Sequence, residues 1–210
     1  MILRTKDIKH SYDSLHVFQF PDINCNAGES LLLMGPSGSG KTSLLHIMAG
    51  LMKPSQGKVF INDCDIHSLV ESKRDNFRAK NIGIALQKPI FIASLNVIEN
   101  LLLFQKLARI KVSKSDCEQL LDLVNMKHKK ASQVNALSQG ELQRLMFIRS
   151  LIHKPKILFV DEPTSSLDDA HAIIIAKLLK EQTEKYQTSL VIVSHDIRLK
   201  TIFEHQIQLT

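Results

Sequence analysis

Leu31-Leu32-Leu33-Met34 runs directly into Gly35-Pro36-Ser37-Gly38-Ser39-Gly40-Lys41-Thr42-Ser43, and a mostly apolar stretch follows to Met48. A Gly-x-x-x-x-Gly-Lys-Thr loop between a short apolar strand and a helix is the context in which such a loop holds phosphate. Glycines 35, 38 and 40 let the backbone turn its N–H groups inward around anionic oxygens, and a helix starting near Lys41 adds its positive dipole end. Lys41 is expected to reach the outer phosphates of a nucleoside triphosphate, and Thr42 a magnesium ion. Pro36, Ser37, Ser39 and Ser43 complete the candidate cradle.

Working outward, the first 34 residues read as short strands separated by polar turns, including His16 to Phe20 and Ser30 to Met34, and Lys58 to Ile61 reads as another strand. From about Glu99 to Leu151 the apolar positions, such as Leu101, Leu102, Phe104 and later Leu120, Leu121, Val124, recur near a helical period. Two strongly apolar strand candidates follow, Ile157 to Val160 and Leu190 to Val193, with a helix at about Ala170 to Tyr186 between them. Apolar strands alternating with helices predict a parallel sheet covered on both faces, and the long helical stretch is then an insertion into that α/β core.

The strand Ile157 to Val160 ends in Asp161-Glu162-Pro163. Ligands in such sheets lie at the carboxyl ends of the strands, so Asp161 is placed to hold magnesium through its water shell, and Glu162 to orient and deprotonate an attacking water. Leu137-Ser138-Gln139-Gly140-Glu141 precedes a helical run from about Leu142 to His153. Locally, Ser138 and Glu141 form a Ser-x-x-Glu capping box. The same helix start also presents free N–H groups and a small hydroxyl to any phosphate brought against it.

Composition narrows the classes. At 210 residues and 44% hydrophobic, the chain has enough apolar mass for a buried core, which excludes a disordered or collagen-like chain. Its apolar runs fall far short of the roughly 18 residues of a membrane span, and the charged start Arg4-Thr5-Lys6-Asp7 does not resemble a signal peptide, so a cytoplasmic chain is expected. Cys25, Cys64 and Cys117 lie 39 and 53 positions apart, so they form no zinc spacing and are read as reduced packing residues. The excess of 27 basic over 21 acidic residues suits several anionic partners and selects none. The compact basic run Lys127-His128-Lys129-Lys130 lacks interleaved aromatics and reads as a solvated helix end rather than a nucleic-acid site.

Taken together, these segments resemble the ATP-binding-cassette ATPases, the nucleotide-binding subunits of ABC transporters. Leu137-Ser138-Gln139-Gly140-Glu141 is similar to the family signature, with glutamine at a third position that is more often glycine. Asp161-Glu162-Pro163-Thr164-Ser165-Ser166-Leu167-Asp168 is similar to its second Walker motif and the loop that follows. Gln87, in Ala85-Leu86-Gln87-Lys88-Pro89, is similar to the glutamine that senses magnesium and the permease, and His195, in Val193-Ser194-His195-Asp196, to the switch histidine. Tyr12, 23 residues before Gly35, stands where the family has its adenine-stacking aromatic, with Phe18 and His16 as alternative faces.

The resemblance implies a P-loop NTPase core with a mainly parallel sheet, an N-terminal antiparallel β subdomain and an inserted α-helical subdomain at about residues 88–150. It implies ATP and Mg2+ as ligands, with Thr42, Gln87 and Asp161 toward the metal and Glu162, His195, Gln87 and Lys41 in catalysis. It also implies two copies packed head to tail, Ser138 and Gly140 acting on the ATP of the other copy, Asp168 linking the two sites, and a separate integral-membrane permease. The chain ends 15 residues after His195, so neither a regulatory domain nor a fused membrane segment is expected. The loop Gln87 to Asn100, with Ser94-Leu95-Asn96-Val97-Ile98-Glu99-Asn100, resembles the lipoprotein-releasing, macrolide-export and cell-division branch.

Other readings fit less of the chain. A soluble ABC ATPase of DNA repair, chromosome organisation or translation usually carries a long insertion, for which the 96 positions from Lys41 to Leu137 leave no room. A membrane signal relay needs the same residues as a transporter. A small phosphate-loop kinase needs neither the signature nor the switch histidine.

Overall fold

The computed structural model describes residues 1–12, 17–165 and 167–209. It holds two five-stranded sheets. The antiparallel one is built on β1 (Leu3–Ser11), which pairs with β2 (Val17–Gln19), β3 (Asn24–Cys25) and β5 (Gln56–Ile61), with β6 (Cys64–Asp65) beyond β5. The parallel one has the order β10 (His205–Gln208), β4 (Ser30–Met34), β9 (Ser189–Ser194), β8 (Ile157–Asp161), β7 (Ile82–Ala85). The helices are α1 (Lys41–Met48), α2 (Glu71–Asn81), α3 (Val97–Leu107), α4 (Lys114–Leu123), α5 (Gln139–Leu151) and α6 (Asp169–Lys185).

Both faces of the parallel sheet are buried, which is why its strands lack polar alternation. Leu31, Leu33, Phe159, Val191 and Val193 pack toward α1 and the antiparallel sheet, in one core. Leu32, Met34, Leu158, Val160, Leu190 and Ile192 pack on the other side, against α5, α6 and the helical segment, in a second core. The period of two thus separates two cores that share one sheet.

Four sequence expectations need correction. The first 34 residues hold one nine-residue strand, β1, rather than only short ones. Asp7 sits at φ +51° where the pairing register slips between Lys6 and Lys9, so the buried side switches from Leu3 and Thr5 to Ile8 and His10 and the alternation breaks. The strand expected from His16 is β2, Val17–Gln19, and His16 lies outside the described residues. The parallel sheet also has edge strands that periodicity did not signal, because β10 (His-Gln-Ile-Gln) is polar and β7 (Ile-Gly-Ile-Ala) is short and carries a glycine. Gly83 is required there, since a Cβ on it would lie 2.4 Å from the Ser150 carbonyl oxygen on α5. Finally, the basic run is a separate 3₁₀ turn, Lys127–Lys129, tied back by Lys129 to Glu141 at 3.3 Å and Lys130 to Glu118 at 3.0 Å. Cys25 and Cys117 are buried, and all three cysteines are free thiols.

Candidate active site

Strand order brings the motifs together. β4, β9 and β8 are neighbours, with Met34 opposite Ser194 and Asp161 opposite Val193, so Gly35, His195 and Glu162 all emerge from adjacent carboxyl ends. Gly38 (φ +86°) and Gly40 (φ +81°) hold the left-handed backbone the loop requires, and a Cβ on Gly40 would also meet the Phe18 and Phe20 rings at 3.0 Å. No side chain caps α1 and its first turn carries no acid, so its opening N–H groups are left for an anion.

Lys41 is buried, and its Nζ donates to the carbonyls of Gly35 and Pro36, both at 2.9 Å. A buried ammonium held by carbonyls, with no carboxylate against it among the described residues, is a positive charge still lacking its counterion. Thr42 Oγ1 donates to Asp161 Oδ1 at 3.3 Å. Asp161 is 3% exposed, and burial pushes its pKa up. A hard cation at this pair would reverse that burial effect. No cluster of three or more His, Cys, Asp or Glu that could hold a metal ion exists among the described residues.

Glu162 follows directly, at φ +46° and buried. Its Oε2 accepts from Ser194 Oγ at 2.8 Å and from the His195 N–H at 3.4 Å, and its Oε1 lies 2.8 Å from His195 Nδ1. Ser194 Oγ in turn accepts from the Asp196 N–H at 3.1 Å, which directs the hydroxyl hydrogen to Glu162. A carboxylate so bonded is held in one orientation while its neighbour His195 stays half exposed. His195, expected to meet a terminal phosphate directly, is here engaged through Nδ1, and Nε2 is the nitrogen left for that contact.

A groove of about 390 Å³ is lined by Phe18, Ser37, Gly38, Gly40, Lys41, Thr42, Ser43, Gln87, Glu162 and His195. Gln87, 75 positions from Glu162 and 108 from His195, therefore joins them across the fold. Tyr12 does not line it. That ring is 63% exposed, its hydroxyl bonds Ser43 Oγ at 2.8 Å and it meets Phe18 edge-on at 6.5 Å. Phe18, stacked on Phe20 at 6.1 Å, supplies the aromatic wall instead, because β2 carries it over the start of α1. Ser39 points elsewhere: its Oγ is buried without a partner and it lines a separate depression beside Leu209.

Ser138 and Gly140 are not brought to this groove. They begin α5, where the Ser138 N–H donates to Glu141 Oε2 at 2.7 Å and the Glu141 N–H to Ser138 Oγ at 3.3 Å, the capping box expected from the sequence. Asp168 is exposed just before α6, and Ser166 lies outside the described residues.

Sequence reading missed two sets of groups. The first is Ser194, fully buried, whose role depends on strand pairing across 32 positions. Ser194→Ala is expected to lower kcat about tenfold by loosening the Glu162 carboxylate, which corresponds to losing one hydrogen bond to a charged group. ATP affinity should hold and Ser194→Thr should recover the rate in steady-state assays; an unchanged kcat in the alanine variant contradicts the positioning role. The second is Asp196, which accepts from Thr164 Oγ1 at 2.5 Å and from Arg198 through Nε at 2.8 and 3.0 Å, Nη2 at 2.6 Å and the backbone N–H at 3.0 Å. The Arg198 guanidinium holds its carboxyl down at about 2. Arg198 Nη1 also reaches Asp169 at 2.6 Å, so the loop after Glu162 and the segment after His195 are fastened together.

The geometry can be set beside known proteins. The family model described as ABC transporter matches residues 19–165. The lipoprotein-releasing system ATP-binding protein LolD of Psychrobacter arcticus is 34% identical over 99% of this chain and 95% of its own length. LolD of Idiomarina loihiensis is 33% identical over 94% of this chain and 90% of its own. Among solved structures, the dimeric post-hydrolysis state of the ATP-binding cassette MJ0796 with ADP and phosphate superposes with a TM-score of 0.90 at 28% identity, covering 100% of this chain and 94% of that one.

Proposed function

The chain belongs to the ABC transporter family as an ATP-binding, ATP-hydrolysing cassette, and from that premise we propose that it drives a membrane complex of the lipoprotein-releasing type, paired head to tail with a second copy. The observation that carries the mechanism is the Glu162 carboxylate, fixed by Ser194 and His195 on the same groove as Lys41, Thr42 and Gln87. In this reading the loop Gly35 to Ser43 and Lys41 bind the phosphates of ATP. Glu162 accepts a proton from the attacking water, and His195 Nε2 donates to the terminal phosphate. Thr42, Asp161 and Gln87 fit a Mg2+ ion, which would neutralise phosphate charge when bound.

Ser138 and Gly140 stand apart from the groove of their own chain, so they serve the ATP of the other copy. The terminal phosphate is then a contact made only in the closed pair, and its hydrolysis releases closure. Residues 88–150 form the helical unit that carries this signature and meets the permease. Among the described residues no helix is long and apolar enough to cross a membrane. In this reading the pathway lies in a separate permease, which holds the chain on the cytoplasmic face. The lipoprotein-releasing assignment is supported by relatives of that name at 32–36% identity.

The test is purification of the Glu162→Gln chain with ATP from its native membranes, followed by mass spectrometry. A multi-span permease with an extracytoplasmic domain is expected to accompany it. Recovery of ribosomal or DNA-repair proteins, with no membrane partner, contradicts the proposal.

A further inference from the structure

Arg198 uses every side-chain donor it has. Its Nε bonds both oxygens of Asp196, at 2.8 and 3.0 Å, and its Nη2 donates to Asp196 Oδ2 at 2.6 Å and to the Thr164 carbonyl at 3.4 Å. Its Nη1 donates to Asp169 Oδ1 at 2.6 Å and to the Leu167 carbonyl at 3.3 Å. A guanidinium carries five N–H groups in one plane, and here all five have acceptors. The fork ties together the segment after His195, the turn after Glu162 and the first residue of α6.

Stability alone does not call for this arrangement. The Asp169 side chain is 88% exposed, and an ion pair so placed contributes little because water screens it. Asp196, only 8% exposed, needs a positive partner. A lysine ammonium would supply that charge as a point, but it could not also hold two carbonyls and a second carboxylate. What the planar fork adds is geometry. Leu167 and Asp169 flank Asp168, and the Asp168 carbonyl accepts the Ala172 N–H at 2.9 Å as α6 begins. The backbone is therefore gripped on both sides of Asp168, which stands exposed between them. At the other end of the fork, hydrogen bonds run from Asp196 through Ser194 Oγ to Glu162, at 3.1 and 2.8 Å.

We propose that Arg198 is a positioning residue for the ATP of the other copy: it sets Asp168 at the joint between the two chains and ties that setting to Glu162 and His195 of its own site. The proposal rests on the head-to-tail pair above and adds the side chain through which one site acts on the other. Asp196 and the stretch from Leu167 to Asp169 share one rigid plane of donors, so a shift of the His195 segment carries Asp168 with it. The two sites of a pair are then coupled through this fork.

The test uses mixed dimers of the full chain, Lys41→Ala with Ser138→Arg. In such a pair the one composite site with an intact phosphate loop and an intact signature takes its loop from the Ser138→Arg chain. Arg198→Lys is then added to the Lys41→Ala chain only, whose own phosphate loop is disabled. The rate per mixed dimer, counted by native mass spectrometry, is expected to fall about tenfold, the effect of one lost charge-assisted hydrogen bond, with the KM for ATP unchanged. A role confined to its own chain would lower the rate only when Arg198→Lys sits in the Ser138→Arg chain, and that result overturns the proposal while the head-to-tail pair stands. Should Arg198→Lys fail to fold, Asp169→Asn in the Lys41→Ala chain decides the matter, since it alters an exposed side chain and leaves the Asp196 bonds in place. About a threefold loss supports the proposal, and an unaltered rate overturns it. If the parent mixed dimers form and restore no rate at all, the head-to-tail reading falls and this proposal with it.

Discussion

Glu162→Gln is expected to reduce ATP hydrolysis by about 10²–10⁴-fold, the range that general acid–base catalysis supplies, while leaving ATP bound. The exchange is nearly isosteric, so the acceptor bonds from Ser194 and His195 to this position are largely retained in shape, and what is lost is basicity. ATP that is bound and not cleaved keeps the terminal-phosphate contact, so the variant should accumulate as a dimer when ATP is added and disperse when ADP replaces it. Single-turnover kinetics and size-exclusion chromatography read the two effects separately. Hydrolysis at the unaltered rate means that another group is the base.

Lys41→Ala is expected to weaken ATP binding by at least about a hundredfold, because the side chain supplies a charge-assisted donor within a water-poor loop. The loop should survive the change. Its shape comes from Gly38 and Gly40 in the left-handed region rather than from the Lys41 bonds to the Gly35 and Pro36 carbonyls. Unfolding should therefore move little while the nucleotide titration, followed by fluorescent ATP displacement, moves a great deal. Unchanged affinity would remove Lys41 from the phosphate site and with it the assignment of the loop.

The residues proposed for the chemistry were legible because each lies in a short motif whose local physics is self-contained. A glycine-rich turn before Lys41-Thr42 and an Asp-Glu pair after an apolar strand point to phosphate chemistry without knowledge of the fold. Their convergence was legible too, through the apolar strands that must lie side by side. Ser194 was not, since a serine inside an apolar strand carries no signal until β8 and β9 are paired. Phe18 was legible only as an alternative to Tyr12, which had the expected spacing; Phe18, half-buried on a strand of three residues, lines the groove, and Tyr12 stands beside it with its hydroxyl on Ser43. The edge strands β7 and β10 escaped for a related reason: one is bounded by contact with α5 at Gly83 and the other is polar, so neither shows the apolar alternation that reveals an interior strand.

The claim on which the mechanism rests is that each ATP is served by two chains, with Lys41 from one and Ser138 from the other. It is tested by mixing two inactive chains, Lys41→Ala and Ser138→Arg. In a head-to-tail pair of the two variants one composite site keeps an unaltered phosphate loop and an unaltered signature, so random pairing restores up to about a quarter of the wild-type ATPase rate. If mixed dimers form, as native mass spectrometry would show, and the rate stays at the level of either variant alone, the site is not shared between chains.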